Sequence, residues 1–151
     1  TSFKRMIDVM TNDIQKRCGV YTNFIDGSVE ARERQEVVDK FSSYEGPGAL
    51  ILNPKAAGAG LNITCANHAI HYNLEWNPAI EDQASARIYR RGQEKTVFIH
   101  RLFYVDTIEE IINEKIQSKR LLSDNAIIGN NGAIIEQEYL IKALSASPYK
   151  S

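Results

Sequence analysis

Gln83, Arg87 and Arg90 fall at i, i+4 and i+7 within the run Gln83-Ala-Ser-Ala-Arg-Ile-Tyr-Arg-Arg-Gly-Gln93. On a helix that spacing puts all three on one face. Two guanidiniums beside an amide suit a polyphosphate, because each guanidinium is a rigid planar fork of donors that stays charged at any working pH. The run therefore points to phosphoryl chemistry. A basic helix face taken alone is most often only solvated, so its flanks matter. Pro78, in Trp76-Asn77-Pro78, suits the first helical position, and Gly92 suits a left-handed stop. The reading is a short, sharply bounded helix from which charge can be aimed at a ligand.

The elements that must position these residues follow from periodicity. Phe3, Met6, Ile7, Met10 and Ile14 recur at helical spacing and Gly19 closes the pattern. Val20 to Ile25 reads as a strand, Asp26-Gly27 as its turn, and Ser28 as the N-cap of a charged helix running to about Phe41. Ala49-Leu50-Ile51-Leu52 fits a strand buried on both faces. A glycine-rich loop from Lys55 to Asn62 comes next, then a strand from about Ala69 to Asn73, the arginine helix, and a strand from Thr96 to Phe103. Thr107-Ile-Glu-Glu110 has the pattern of a capping box, and Ile108, Ile111, Ile112 and Ile116 continue an amphipathic helix. Another helical pattern runs from about Ile134 to Leu144. This βαβα alternation predicts an α/β fold in which a parallel sheet carries helices on both faces and gathers ligands at its strand ends. The chain opens almost directly into a helix without the strand expected before it, so either a longer parent protein or a neighbouring piece is expected to complete the sheet.

At 151 residues, with 43% hydrophobic and 25% charged residues, the composition is that of one globular domain. No apolar run approaches membrane-spanning length and no signal peptide opens the chain, which predicts a cytoplasmic protein. Cys18 and Cys65 lack metal-like spacing and read as buried free thiols. The net charge of -1 argues against nucleic-acid binding through bulk charge. It leaves room for local binding at Arg87, Arg90, Arg91, Lys95 and Arg101. The second basic run, Lys115, Lys119 and Arg120, reads as a solvated helix face. His68 and His71 turn to opposite faces of their strand and lack an acid or cysteine to complete a metal site.

Lys55-Ala-Ala-Gly58-Ala-Gly60-Leu-Asn62 is neither a Walker A loop, since no Gly-Lys-Ser/Thr ending occurs, nor a dinucleotide fingerprint. By itself it is as compatible with a tight turn as with a binding loop. Joined to its successors it says more. Gly58-Ala-Gly-Leu-Asn62-Ile-Thr64, Ile70-His-Tyr-Asn73, Trp76-Asn-Pro78, Gln83-Ala through Arg87 to Arg90-Arg-Gly-Gln93, and Thr107-Ile-Glu-Glu110 together closely resemble the second motor lobe of Swi/Snf-type helicase-like ATPases, in helicase superfamily two. Asp26-Gly27-Ser28, Arg32 and Phe41 fit the same pattern. The resemblance covers about Thr1 to Arg120.

It implies a RecA-like lobe of the P-loop NTPase type over residues 1–122, including a brace-type helix, with a C-terminal helical extension over 123–151. Such a lobe works against a first RecA-like lobe of the same parent, which carries the Walker loop and the acids that hold Mg2+ with ATP. By that similarity Arg87 and Arg90 are arginine fingers, and Gln83, Gly58 and Gly60 belong to the nucleotide-facing surface. Lys55, Asn62, Thr64 and Trp76 lie on the path of double-stranded DNA, although plain packing is an equal reading of Trp76. The resemblance further implies a DNA-dependent ATPase and translocase, nucleoid-associated in a bacterium or nuclear in a eukaryote, and inactive as this fragment alone. Ala57, Asn73, Glu75, Ala86 and Arg91 depart from the family pattern, whereas both fingers are kept. The rival reading is a non-catalytic module that uses a helicase-derived lobe to bind nucleic acid or protein.

Overall fold

In the computed structural model the opening periodicity becomes α1 (Lys4–Cys18), which buries Ile7 and ends on Gly19 in the left-handed region at φ 63°. The Gly19 amide donates to the Gln15 carbonyl, so the stop comes where glycine alone is unstrained. The structure describes residues 1–56 and 60–124. Gly58 and the helical pattern from Ile134 to Leu144 lie outside them.

β1 (Tyr21–Ile25) leads through α2 (Ala31–Ser42) to β2 (Gly48–Leu52). The two strands pair in parallel, with Tyr21 opposite Gly48 and Ile25 opposite Leu52, so this segment is a βαβ unit. β3 (His68–His71), α3 (Pro78–Ser85), β4 (Phe98–Arg101) and α4 (Ile108–Asp124) complete the order. Among the described residues the strands form two hydrogen-bonded pairs, β1 with β2 and β3 with β4. β3 and β4 are each shorter than their sequence patterns suggested.

The chain divides into two compact units. One comprises Thr1–His71 with Ile80–His100, and the other Tyr72–Ala79 with the described residues from Arg101. The first is centred on Ile25, Val38, Leu61, Ile63, Ala69 and Ile88. The second packs Leu74 with Ile112 and Ile116, the last fully buried. α4 starts on a variant of the expected box. Thr107 Oγ1 accepts from the Glu109 amide, and the Glu110 carboxylate reaches back to the Asp106 amide at 2.8 Å.

Four local expectations are corrected. Ser28 does not cap α2, whose N-cap position is Glu30. The Ser28 amide and hydroxyl instead donate to the buried Asp26 carboxylate, which also faces Lys4 Nζ at 3.6 Å. Two donors from Ser28 lower the pKa of Asp26, and Lys4 adds to this against the opposing effect of burial. Cys18 is exposed rather than buried, although both thiols are free. Lys115 is buried, not solvated, and its Nζ sits over the Trp76 ring.

The fourth correction concerns the arginine helix itself. α3 starts at Pro78 as expected, with Asn77 Oδ1 accepting the Ala79 amide, but it ends at Ser85, before either arginine. Residues 86–90 continue as turns. Their backbone is drawn into tertiary bonds: the Arg87 carbonyl accepts from the Ile63 amide at 3.0 Å, and the Ile88 carbonyl accepts from the Gln93 side chain. Gly92 takes φ 97°, so it closes the turns rather than the helix.

Candidate functional site

The site is built where β2 ends. The Asn53 amide donates to the Ile25 carbonyl at 2.9 Å, prolonging the β1–β2 ladder by one rung. The Asn53 side-chain oxygen then accepts the Lys55 amide at 3.0 Å, an Asx turn that fixes how the loop leaves the strand. Pro54 and Lys55 thus stand at the carboxyl end of a parallel strand, where open α/β sheets gather ligands. The loop returns at Gly60, whose φ of 111° a side chain would strain. Leu61 and Ile63 then plunge into the core while Asn62 is exposed and Thr64 half-buried.

The second wall comes from α3 and its turns. Glu81 and Ser85, four residues apart, face inward, and Ser85 Oγ bonds His71 Nε2 at 2.9 Å. Ile80 and Gln83, three apart, face the cleft. Ile88 is the anchor of the turns: its side chain enters the main core and its amide donates to the Ser85 carbonyl. With Ile88 pinned inward, Arg87, Tyr89 and Arg90 project outward.

An open cleft of about 700 Å³ results, lined by Pro54, Lys55, Gly60, Ile80, Gln83, Ala86, Arg87, Tyr89 and Arg90. Three of these side chains are cationic and none is a carboxylate. Such a lining attracts anions. Its two forks, one ammonium and one amide fit the several oxygens of a polyphosphate.

Gln93 holds the walls in register. Its side-chain nitrogen donates to the carbonyls of Ala66 at 2.8 Å, Thr64 at 3.1 Å and Ile88 at 3.3 Å, while its oxygen accepts the Lys95 amide at 2.9 Å. One amide therefore ties residues 64–66 to the arginine turns.

Of the residues singled out from sequence, Gln83, Arg87, Arg90, Gly60 and Lys55 come together in this cleft, which Lys55 thus shares with the residues expected to face nucleotide. Asn62 and Thr64 are not among its lining residues. Trp76 belongs to the second unit, 41% exposed, with Lys115 Nζ 5.2 Å from its ring centroid. Sequence reading missed the cleft position of Ile80 and Tyr89 and the clamp made by Gln93. The adjacency of Gln93 to Gly92 was the available signal, since a polar residue just past a tight turn is placed to satisfy the carbonyls the turn leaves open.

The chain matches the family model of the helicase conserved C-terminal domain over residues 1–92. It is 44% identical, over 131 residues, to a Bacillus subtilis protein, YwqA, assigned by inference as an ATP-dependent helicase/translocase; the match covers 87% of this chain and 14% of that protein. The SWI2/SNF2 ATPase core domain of Sulfolobus solfataricus superposes with a TM-score of 0.71 at 32% identity, covering 99% of this chain and 30% of that one. The same core solved in complex with double-stranded DNA gives 0.70 at 34% identity, covering 97% and 31%. The chain thus spans less than a third of the length of each. No helix among the described residues is long and apolar enough to cross a membrane.

Proposed function

Because this chain belongs to the helicase conserved C-terminal domain family and forms the second lobe of a SWI2/SNF2-type helicase-like ATPase, we propose that its arginine cleft completes the ATP site of a DNA-dependent translocase. The observation that carries this reading is the convergence of Arg87, Arg90, Gln83 and Lys55 on one acid-free cleft.

ATP with Mg2+ would supply the phosphoanhydride to be broken and a divalent charge to offset the negative charge that develops as it breaks. The cleft presents forks and an amide to phosphate oxygens but no carboxylate for the metal, so the metal-binding acids and Walker loop belong to the parent's first lobe. Arg87 and Arg90 act as arginine fingers that neutralise charge developing on the transferred phosphoryl group. A finger of this kind contributes about 10³ to 10⁵ in rate. Gln83 orients phosphate oxygens beside them. Gly60, and Gly58 by its place in the loop, let the backbone approach the nucleotide closely. Ile88 and Gln93 hold the fingers without touching it.

Duplex DNA is the proposed track. Asn62 and Thr64 just after the glycine-rich loop, Lys55 at its start and Trp76 in the second unit are the proposed contacts. Lys55 serves both surfaces by its position between loop and cleft. Residues 1–122 constitute the motor lobe and 123–151 its extension. The parent works on DNA, in the nucleoid of a bacterium or the nucleus of a eukaryote.

The test is ATP turnover of the two-lobed parent with and without duplex DNA, for the native protein and for Arg90→Ala. DNA-stimulated turnover that collapses in the variant while DNA affinity is kept supports the finger. Full turnover in Arg90→Ala refutes it and favours the non-catalytic binding module.

A further inference from the structure

Away from the arginine cleft, the β3–β4 pair brings two imidazoles together. Nδ1 of His68 lies 3.0 Å from Nε2 of His100. The rings are 12° from parallel with centroids 5.3 Å apart, and the Phe98 ring stacks on His68 at 5.0 Å and 15°. Both histidines are exposed. They sit on hydrogen-bonded neighbouring strands, so their backbones are already fixed relative to each other.

We propose that His68 and His100 form a bidentate site for an imidazole-preferring divalent transition-metal ion, Zn2+, Ni2+ or Cu2+. Two nitrogens bound to one ion at about 2.0–2.1 Å, with an angle between square and tetrahedral, stand roughly 2.8–3.4 Å apart. The observed 3.0 Å falls inside that interval. The two nitrogens meet head-on, as a hydrogen bond requires, so each ring must turn in its plane to aim its lone pair at a shared ion, while the strand ladder keeps the two rings within reach of one another.

Coordination needs a lone pair at both facing nitrogens. Each neutral ring then carries its proton on its other nitrogen, His68 on Nε2 and His100 on Nδ1. The shared hydrogen bond is given up, one ring changes tautomer, and no redox step is involved. Among the described residues no third histidine, cysteine or carboxylate joins the pair, so water completes the shell. Ligand softness then sets the preference: imidazole suits zinc, nickel and copper, whereas Mg2+ and Ca2+ require oxygen. His71 is the internal control, because it is half-buried and engaged with Ser85.

The sequence holds three histidines, so three imidazole Hε1 signals report on the whole set. Substoichiometric Ni2+ added to the 151-residue chain should broaden the His68 and His100 signals together and spare His71. Zn2+ titration should give one site per chain, with affinity lowered at least about tenfold by either His68→Ala or His100→Ala, a loss of about 1.4 kcal/mol or more. The His100→Asn variant keeps a hydrogen-bonding side chain and guards against a folding artefact; it too should lose the site. Mg2+ should leave all three signals unchanged. Equal broadening of His71, undiminished Zn2+ affinity in folded His100→Asn, or no response to either transition metal would overturn the proposal.

Discussion

Replacing Gln93 by alanine should destabilise the first unit by an amount its contacts allow one to work out. The side-chain amide has two hydrogens and faces three carbonyls, at 2.8 Å from Ala66, 3.1 Å from Thr64 and 3.3 Å from Ile88. Two full bonds are therefore lost, the Ile88 contact being a shared one. Each is worth about 0.5–1.5 kcal/mol net, so the two sum to about 2 kcal/mol. The Lys95 amide on the other side is exposed and recovers water, so it adds little. For a chain of this size 2 kcal/mol corresponds to a fall in melting temperature of about 4–8 °C. Gln93→Glu should be worse, because a carboxylate would then face carbonyl oxygens and its repulsion adds to the lost bonds. Far-UV circular dichroism melts of the chain and the two variants decide the matter. A Gln93→Ala melt within about 1 °C of the native one, or a Gln93→Glu melt above that of Gln93→Ala, would refute the clamp.

Two further outcomes follow from single groups. Asp26 has its pKa lowered by the Ser28 hydroxyl and amide and then by Lys4, so its contribution to stability is present above the ordinary aspartate value near ~3.9 and is lost as pH falls through its lower folded value. Urea unfolding across pH 2.5–7, ~0.5 unit apart, should show native protein more stable than Asp26→Asn at neutral pH and the gap closing in acid; a gap independent of pH would remove Asp26 from the account. Trp76 is the one tryptophan in the sequence, so its emission reports on Lys115 and on DNA separately: Lys115→Met should change the emission of the free chain, and duplex DNA should quench the native signal. An unchanged spectrum in Lys115→Met would deny the cation–π contact, and a signal indifferent to saturating DNA would return Trp76 to plain packing.

Much of the local structure was readable because it depends on nearest neighbours along the chain. Gly19 stops α1 because only glycine takes its left-handed angle without strain, and Pro78 opens α3 because its missing N–H costs nothing there. β1 was legible as an apolar strand, α2 as a charged segment after a turn and β2 as a continuous apolar run, although β2 buries only Ile51 rather than both faces; the parallel pairing of the strands follows from the helix between them. The site residues were readable as types: two arginines and a glutamine near a glycine loop after a strand. Their identity as a group rested on the order of several motifs, which no single motif carried.

What the sequence by itself determined is therefore chemistry and order: which side-chain types are present and at what spacing, which segments alternate as strand and helix, and which family's second motor lobe the chain belongs to. The tertiary structure decided where those side chains sit. The i, i+4, i+7 spacing presumed a helix through Arg90, yet α3 ends at Ser85, since the Arg87 carbonyl serves Ile63, 24 positions earlier, and Gln93 collects the Ile88 carbonyl. Gln83, Arg87 and Arg90 still share one cleft, held by Ile88 in the core rather than by helical phase. Lys115 meets the Trp76 ring and His68 meets His100 for the same reason. Such partners lie tens of residues apart, and local propensity carries no information about a contact that exists only once the core has formed.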